Sequence, residues 1–116
     1  QAAADLVVAS GATAVITFND LVAVGLVDRL RSRGLDVPHD LSVVGCDDSY
    51  VASLVTPPLT TLHVDLRRLG RLAVDRLVTA STSRSGGTPD VPVLDVELVV
   101  RSSTAPPAAD RPEGAQ

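Results

Sequence analysis

Two apolar runs each break abruptly into polar residues: Ala14-Val15-Ile16-Thr17-Phe18 into Asn19-Asp20, and Leu41-Ser42-Val43-Val44-Gly45-Cys46 into Asp47-Asp48. Short runs rich in β-branched residues on either side of a helix-like stretch predict two parallel strands, 14–18 and 41–46, of a βαβ unit. In the stretch between them Ala23, Leu26, Val27 and Leu30 share one helical face, while Asp28, Arg29, Arg31, Ser32 and Arg33 supply the wet side. Asn19 or Asp20 is placed to cap this helix and Gly34 to end it. Gly25 within it is expected to mark a close packing contact. Ligands of open α/β sheets sit beyond the carboxyl ends of the strands, so both polar clusters should face one crevice.

The remaining pattern predicts a helix end over 1–9 with Gly11 as its left-handed cap, a connector at 35–38 and a loop over 49–58 closed by Pro57-Pro58. A strand follows at 59–64. Asp65 can cap a further helix whose apolar stripe, Leu66, Leu69, Ala73 and Leu77, lies opposite Arg67, Arg68, Arg71 and Asp75 and needs a partner. Residues 81–90 read as a polar loop, 93–101 as a last strand, and the Pro- and Ala-rich stretch 105–116 as a disordered tail.

A length of 116 residues suits one small domain, and a single Phe, a single Tyr and no Trp mean that its core is built from Val, Leu and Ala. The chain holds no methionine and opens inside what reads as a helix, the pattern of a fragment of something longer. Net charge is −4 and all ten basic residues are arginines spread along the sequence, which argues against nucleic-acid binding by this segment itself. One cysteine excludes an internal disulfide and a multi-thiolate metal site. There is no apolar run of transmembrane length and no basic leader, so no membrane partner and a cytoplasmic location are expected.

The candidate chemistry lies at the strand ends. Asn19 and Asp47 occupy equivalent positions there, where an amide and a carboxylate can hydrogen-bond the polar groups of a small ligand; the alternative, that one shapes a turn and the other caps, is equally open from spacing alone. Asp48 reads as support for its loop, with a Mg²⁺ site between the two aspartates as the minority alternative. His39 and His63 have no nucleophile near them in the pattern, and Cys46 reads as a small buried residue. Neither a glycine-rich phosphate loop nor a Gly-x-Ser-x-Gly elbow is present, so neither a cofactor nor an enzymatic activity is expected.

Taken in order, Thr13-Ala14-Val15-Ile16, Asn19 to Gly25, Gly34 to Asp48, Pro57-Pro58-Leu59-Thr60-Thr61, Leu69-Gly70-Arg71-Leu72-Ala73 and Leu98 to Thr104 resemble the lactose-repressor/galactose-repressor (LacI/GalR) family of bacterial transcription regulators, over roughly residues 10–104. The resemblance implies an α/β class: a partial periplasmic-binding-protein-like (type I) fold, its mostly parallel sheet flanked by helices. Residues 1–104 would be the carboxyl-terminal portion of an effector-binding domain, about 64–80 crossing to the other subdomain and the last strand returning, with the DNA-binding head absent. It further implies a small-molecule effector, a sugar or small polar metabolite, contacted by Asn19 and Asp47; a homodimer in the intact parent, formed through Ser49–Leu54 and the helix after Asn19; and operator DNA bound only through the missing amino-terminal domain. Asp20 would cap its helix. Val64 stands where relatives often place a polar contact and Cys46 where they place an aromatic, which leaves the effector open. Three rival readings are a fragment of a secreted sugar-binding protein of a transporter, a receiver-like or phosphatase-like domain using Asp47 and Asp48 with Mg²⁺, and a gene remnant without activity.

Overall fold

The computed structural model describes residues 2–82 and 93–107. Its elements in chain order are α1 (Ala2–Ala9), β1 (Ala14–Ile16), α2 (Asp20–Ser32), β2 (Ser42–Cys46), α3 (Tyr50–Leu54), β3 (Thr60–His63), α4 (Leu66–Thr82) and β4 (Glu97–Val99). The four strands form one sheet in the order β1-β2-β3-β4. The pairings β1 with β2 and β2 with β3 are parallel, with Val15 opposite Val43 and Gly45 opposite Thr61. This is the mostly parallel α/β arrangement that the alternation of strand-like and helix-like segments predicts.

The chain divides into two compact units, Gln1–His63 with Leu98–Gln116, and Val64–Glu97. In the first, α2 buries the expected face: Ala23, Leu26, Val27 and Leu30 pack with Val43 of β2, Ala52 of α3, and Leu41 and Leu59, and Ala4 of α1 joins them. Fully buried leucines such as Leu30 and Leu59 each contribute roughly 1.5–3 kcal/mol relative to exposure. No aromatic residue belongs to this core. Alanine, valine and leucine side chains make up the core, and Phe18 is left 87% exposed at the strand end.

In the second unit α4 starts as expected, Asp65 Oδ1 accepting from the backbone N–H of Arg68 at 2.9 Å. No residue of α4 is buried, and Leu66, Leu69 and Leu77 of its apolar stripe are exposed. Gly34 has the left-handed conformation of a helix cap, φ +76°, and Gly11 has φ +70°.

Several expectations need correction. Within the stretch assigned to a loop, 50–54 forms α3, whose five residues are too short to show helical periodicity and whose one core residue is Ala52. Strands β1 and β4 are shorter than the runs that announced them. Gly25 makes no close approach, since a Cβ there would meet nothing within 4 Å. The chain also stays tied to the sheet beyond β4: Ser103 is fully buried, its Oγ donates to Val43 O at 2.6 Å and accepts from Thr60 N–H at 2.8 Å, and its carbonyl accepts from Val43 N–H. Ala105, where the sequence begins the tail, exchanges two bonds with the Ser42 hydroxyl. The loop and tail expected over 83–92 and 108–116 lie outside the described residues.

Candidate functional site

The carboxyl ends of β1, β2 and β3 lie side by side because the strands are parallel and paired in that order. Ile16 pairs with Val44, and the backbone N–H of Thr17 still donates to Val44 O at 2.9 Å. Asn19 follows β1 by three residues and Asp47 follows β2 directly, so both lie past the carboxyl ends of neighbouring parallel strands. On the other side Cys46 pairs with Leu62, and the Asp47 N–H donates to Leu62 O at 2.9 Å, so His63 falls opposite Asp47. The two residues singled out by their strand-end positions are therefore brought to one rim, and His63 joins them.

Asn19 caps α2, its Oδ1 accepting from the Val22 N–H at 2.9 Å. That bond uses only the oxygen, and the amide NH₂ has no partner among the described residues. The binding and capping roles, alternatives in the sequence, are thus compatible in one side chain.

Asp20 does not cap the helix. It is 1% exposed, and its carboxylate accepts three bonds: from Ser49 N–H at 2.6 Å and Ser49 Oγ at 2.8 Å on Oδ2, and from Thr61 Oγ1 at 2.6 Å on Oδ1. A buried carboxylate is tolerated where several donors replace its lost hydration. Here they tie the start of α2 to the turn after β2 and to β3. The sequence offers a faint signal for this node, an aspartate directly after a cap residue, but its partners lie 29 and 41 residues away.

The turn after β2 is unusual: Asp47 has φ +99° and Asp48 φ +47°, the left-handed half of conformational space that residues with side chains adopt at a cost. Asp48 is held firmly. Its Oδ1 accepts from Arg101 Nη2 at 2.6 Å, its Oδ2 lies 3.1 Å from His63 Nδ1, and its N–H donates to Thr61 Oγ1 at 3.3 Å. The hydrogen bond from Arg101, opposed by burial and aided by the charges of Arg101 and His63, holds the Asp48 carboxyl below the ordinary value. The support role expected for Asp48 is realised, with a basic partner 53 residues away that sequence spacing could not show. The Asp47 carboxylate, by contrast, is exposed and has no hydrogen-bond partner among the described residues.

Cys46 is a half-buried free thiol at the end of β2. Among the described residues no group of three or more His, Cys, Asp or Glu is placed to hold a metal ion. A cavity of about 360 Å³ opens at the opposite, amino-terminal end of the strands, against Thr13, Leu41, Ser42 and Pro106.

In open α/β sheets of this mostly parallel kind ligands sit beyond the carboxyl ends of the strands, the end of the sheet at which Asn19 and Asp47 lie. The chain belongs to the family of periplasmic binding protein-like domains, which it matches over residues 1–104. It is 41% identical over 114 residues to the HTH-type transcriptional regulator MalR of Streptomyces coelicolor, covering 96% of this chain and 32% of that protein. It is 39% identical to the HTH-type transcriptional repressor PurR of Haemophilus influenzae, covering 78% of this chain and 28% of that one.

Among solved structures, a LacI family transcriptional regulator from Arthrobacter, in complex with lactose, superposes with a TM-score of 0.73 at 34% identity, over 89% of this chain and 39% of that one. The lac repressor dimer bound to operator and an anti-inducer superposes at 0.71 with 40% identity, over 79% and 32%. The chain thus lies in the effector-binding region of LacI-type regulators and spans about a third of their length. Among the described residues no helix is long and apolar enough to cross a membrane.

Proposed function

We propose that this chain forms one wall of the effector cleft of a LacI-type transcriptional regulator and that Asn19 and Asp47 contact the effector, a sugar or similarly hydroxylated metabolite. One observation carries the assignment: on a turn where the backbone N–H of every residue from 47 to 49 is hydrogen-bonded, the Asp47 carboxylate is exposed and has no partner among the described residues, at the same end of the sheet as the half-free amide of Asn19. An ionised carboxylate accepts from sugar hydroxyls and an amide NH₂ donates to them, so the pair supplies both halves of polyol recognition. Relatives solved with lactose and with sucrose support that class of ligand.

The effector acts by population shift: it changes operator affinity only as far as it prefers one arrangement of the subdomains over another. Operator DNA is contacted by a separate amino-terminal domain, in keeping with the acidic balance of this segment and with relatives named as HTH-type regulators. The apolar side chains of Leu21, Val22, Tyr50 and Leu54 are exposed on α2 and α3, and we assign them to the homodimer contact of a cytoplasmic, non-enzymatic protein. The unpartnered stripe of α4 is the surface that the other subdomain would cover, with 64–80 crossing over and β4 returning.

The test is calorimetric titration of the complete protein with lactose and sucrose, alongside operator binding. Asp47→Ala should weaken the sugar that binds by roughly 10–100-fold, the loss of a charged hydrogen bond, and leave sugar-free operator binding intact. Undiminished sugar affinity in that variant overturns the site assignment.

A further inference from the structure

Two adjacent carboxylates on one turn would repel each other and compete for the same ligand hydroxyl. The structure removes one of them. Arg101 Nη2 donates to Asp48 at 2.6 Å while its Nη1 donates to Leu59 O at 2.9 Å and its backbone N–H donates to Thr60 Oγ1 at 3.0 Å, so the guanidinium is fixed from both ends of its side chain. His63, opposite Asp47 in the register of β3, closes the other side of Asp48 at 3.1 Å. Asp48 is left 20% exposed. Its own N–H and those of Asp47 and Ser49 are anchored on Thr61, Leu62 and Asp20, so the whole turn is pinned against a backbone conformation that costs energy.

We propose that Arg101 and His63 are positioning residues that act through Asp48: they hold the turn and neutralise its second carboxylate, so that Asp47 alone faces the effector. Neither is assigned an effector contact. The inference rests on the reading of Asp47 given above and adds to it the residues that set the affinity of that contact. A preorganised acceptor binds more tightly because its ordering cost is met before the ligand arrives.

The test compares variants of the complete protein in two backgrounds, with lactose and sucrose as probes and amide hydrogen exchange at Asp47 as a readout that needs no ligand. Asp48→Asn and Arg101→Gln should each raise Kd up to about tenfold, the cost of ordering the turn on binding, and speed exchange of the Asp47 amide. Neither should weaken binding further in an Asp47→Asn background, and Arg101→Lys should recover part of the loss. An equal loss of affinity in both backgrounds marks a merely structural role and overturns the proposal. Unchanged Asp47 exchange in Asp48→Asn and Arg101→Gln overturns it too, whether or not either sugar binds. If Asp47→Asn itself leaves Kd unaltered, the effector-site reading fails, a result distinguishable from failure of the positioning role alone.

Discussion

Gly45 and Asp20 exclude each other's larger alternatives: a Cβ on Gly45 would run into Asp20 Oδ1 and crowd Thr61 Oγ1. The carboxylate cannot retreat, because three donors hold it in a fully buried position. Gly45→Ala should therefore lower stability by roughly 1–3 kcal/mol, the usual cost of overpacking, read as a shift of the urea midpoint at constant slope. An unchanged midpoint would mean that α2 moves away from β2 at no cost.

Gly25 is the opposite case. It sits mid-helix in α2 with open space around it, so Gly25→Ala should raise stability by about 1 kcal/mol through backbone entropy alone. The same denaturation experiment applies. A loss of stability would show that a surface covered in the complete protein approaches the helix there.

Asp47 should trade stability for function. Its φ of +99° suits glycine better than any side chain, so Asp47→Gly is expected to stabilise the fold by roughly 0.5–1 kcal/mol. The same substitution should weaken sugar binding by roughly 10–100-fold, and gain of stability together with intact sugar binding would remove Asp47 from the site.

Asp48 should leave an acid limb in the stability profile. Its folded value lies below the ordinary 3.8, chiefly because Arg101 donates to it. The folded state therefore binds the proton less readily than the unfolded chain. The contribution is whole above about pH 3.8 and is lost as pH falls through the lower folded value. Denaturation midpoints measured from pH 7 downward should show this loss, and Arg101→Gln should flatten it. An unaltered acid limb in that variant would mean that other carboxylates govern it.

How far the sequence reaches can be judged on particular elements. The amphipathic face of α2 is legible because helical periodicity and a buried stripe are the same fact seen twice. Strands β2 and β3 are legible for a similar reason, their β-branched residues marking a pleated, buried surface. Helix α3 is not, since a single turn is set by tertiary packing of Ala52 and by Ser49, which precedes it and bonds Asp20. The wedge of Ser103 between Val43 and Thr60 is equally invisible. Nothing local to that serine distinguishes it from its neighbours Ser102 and Thr104.

At the site, the sequence by itself determined that Asn19-Asp20 and Asp47-Asp48 follow two strands of a βαβ unit, because an apolar run breaking into polar residues is a local pattern; that the two strands are direct neighbours is a property of the sheet. What only the tertiary structure decided is the division of labour among five acidic and basic groups: Asp20 buried as a tie, Asp48 consumed by Arg101 and His63, and Asp47 left without a partner among the described residues. A carboxylate's chemistry depends on the donors around it, and here several of those donors come from 15 to 53 residues away along the chain.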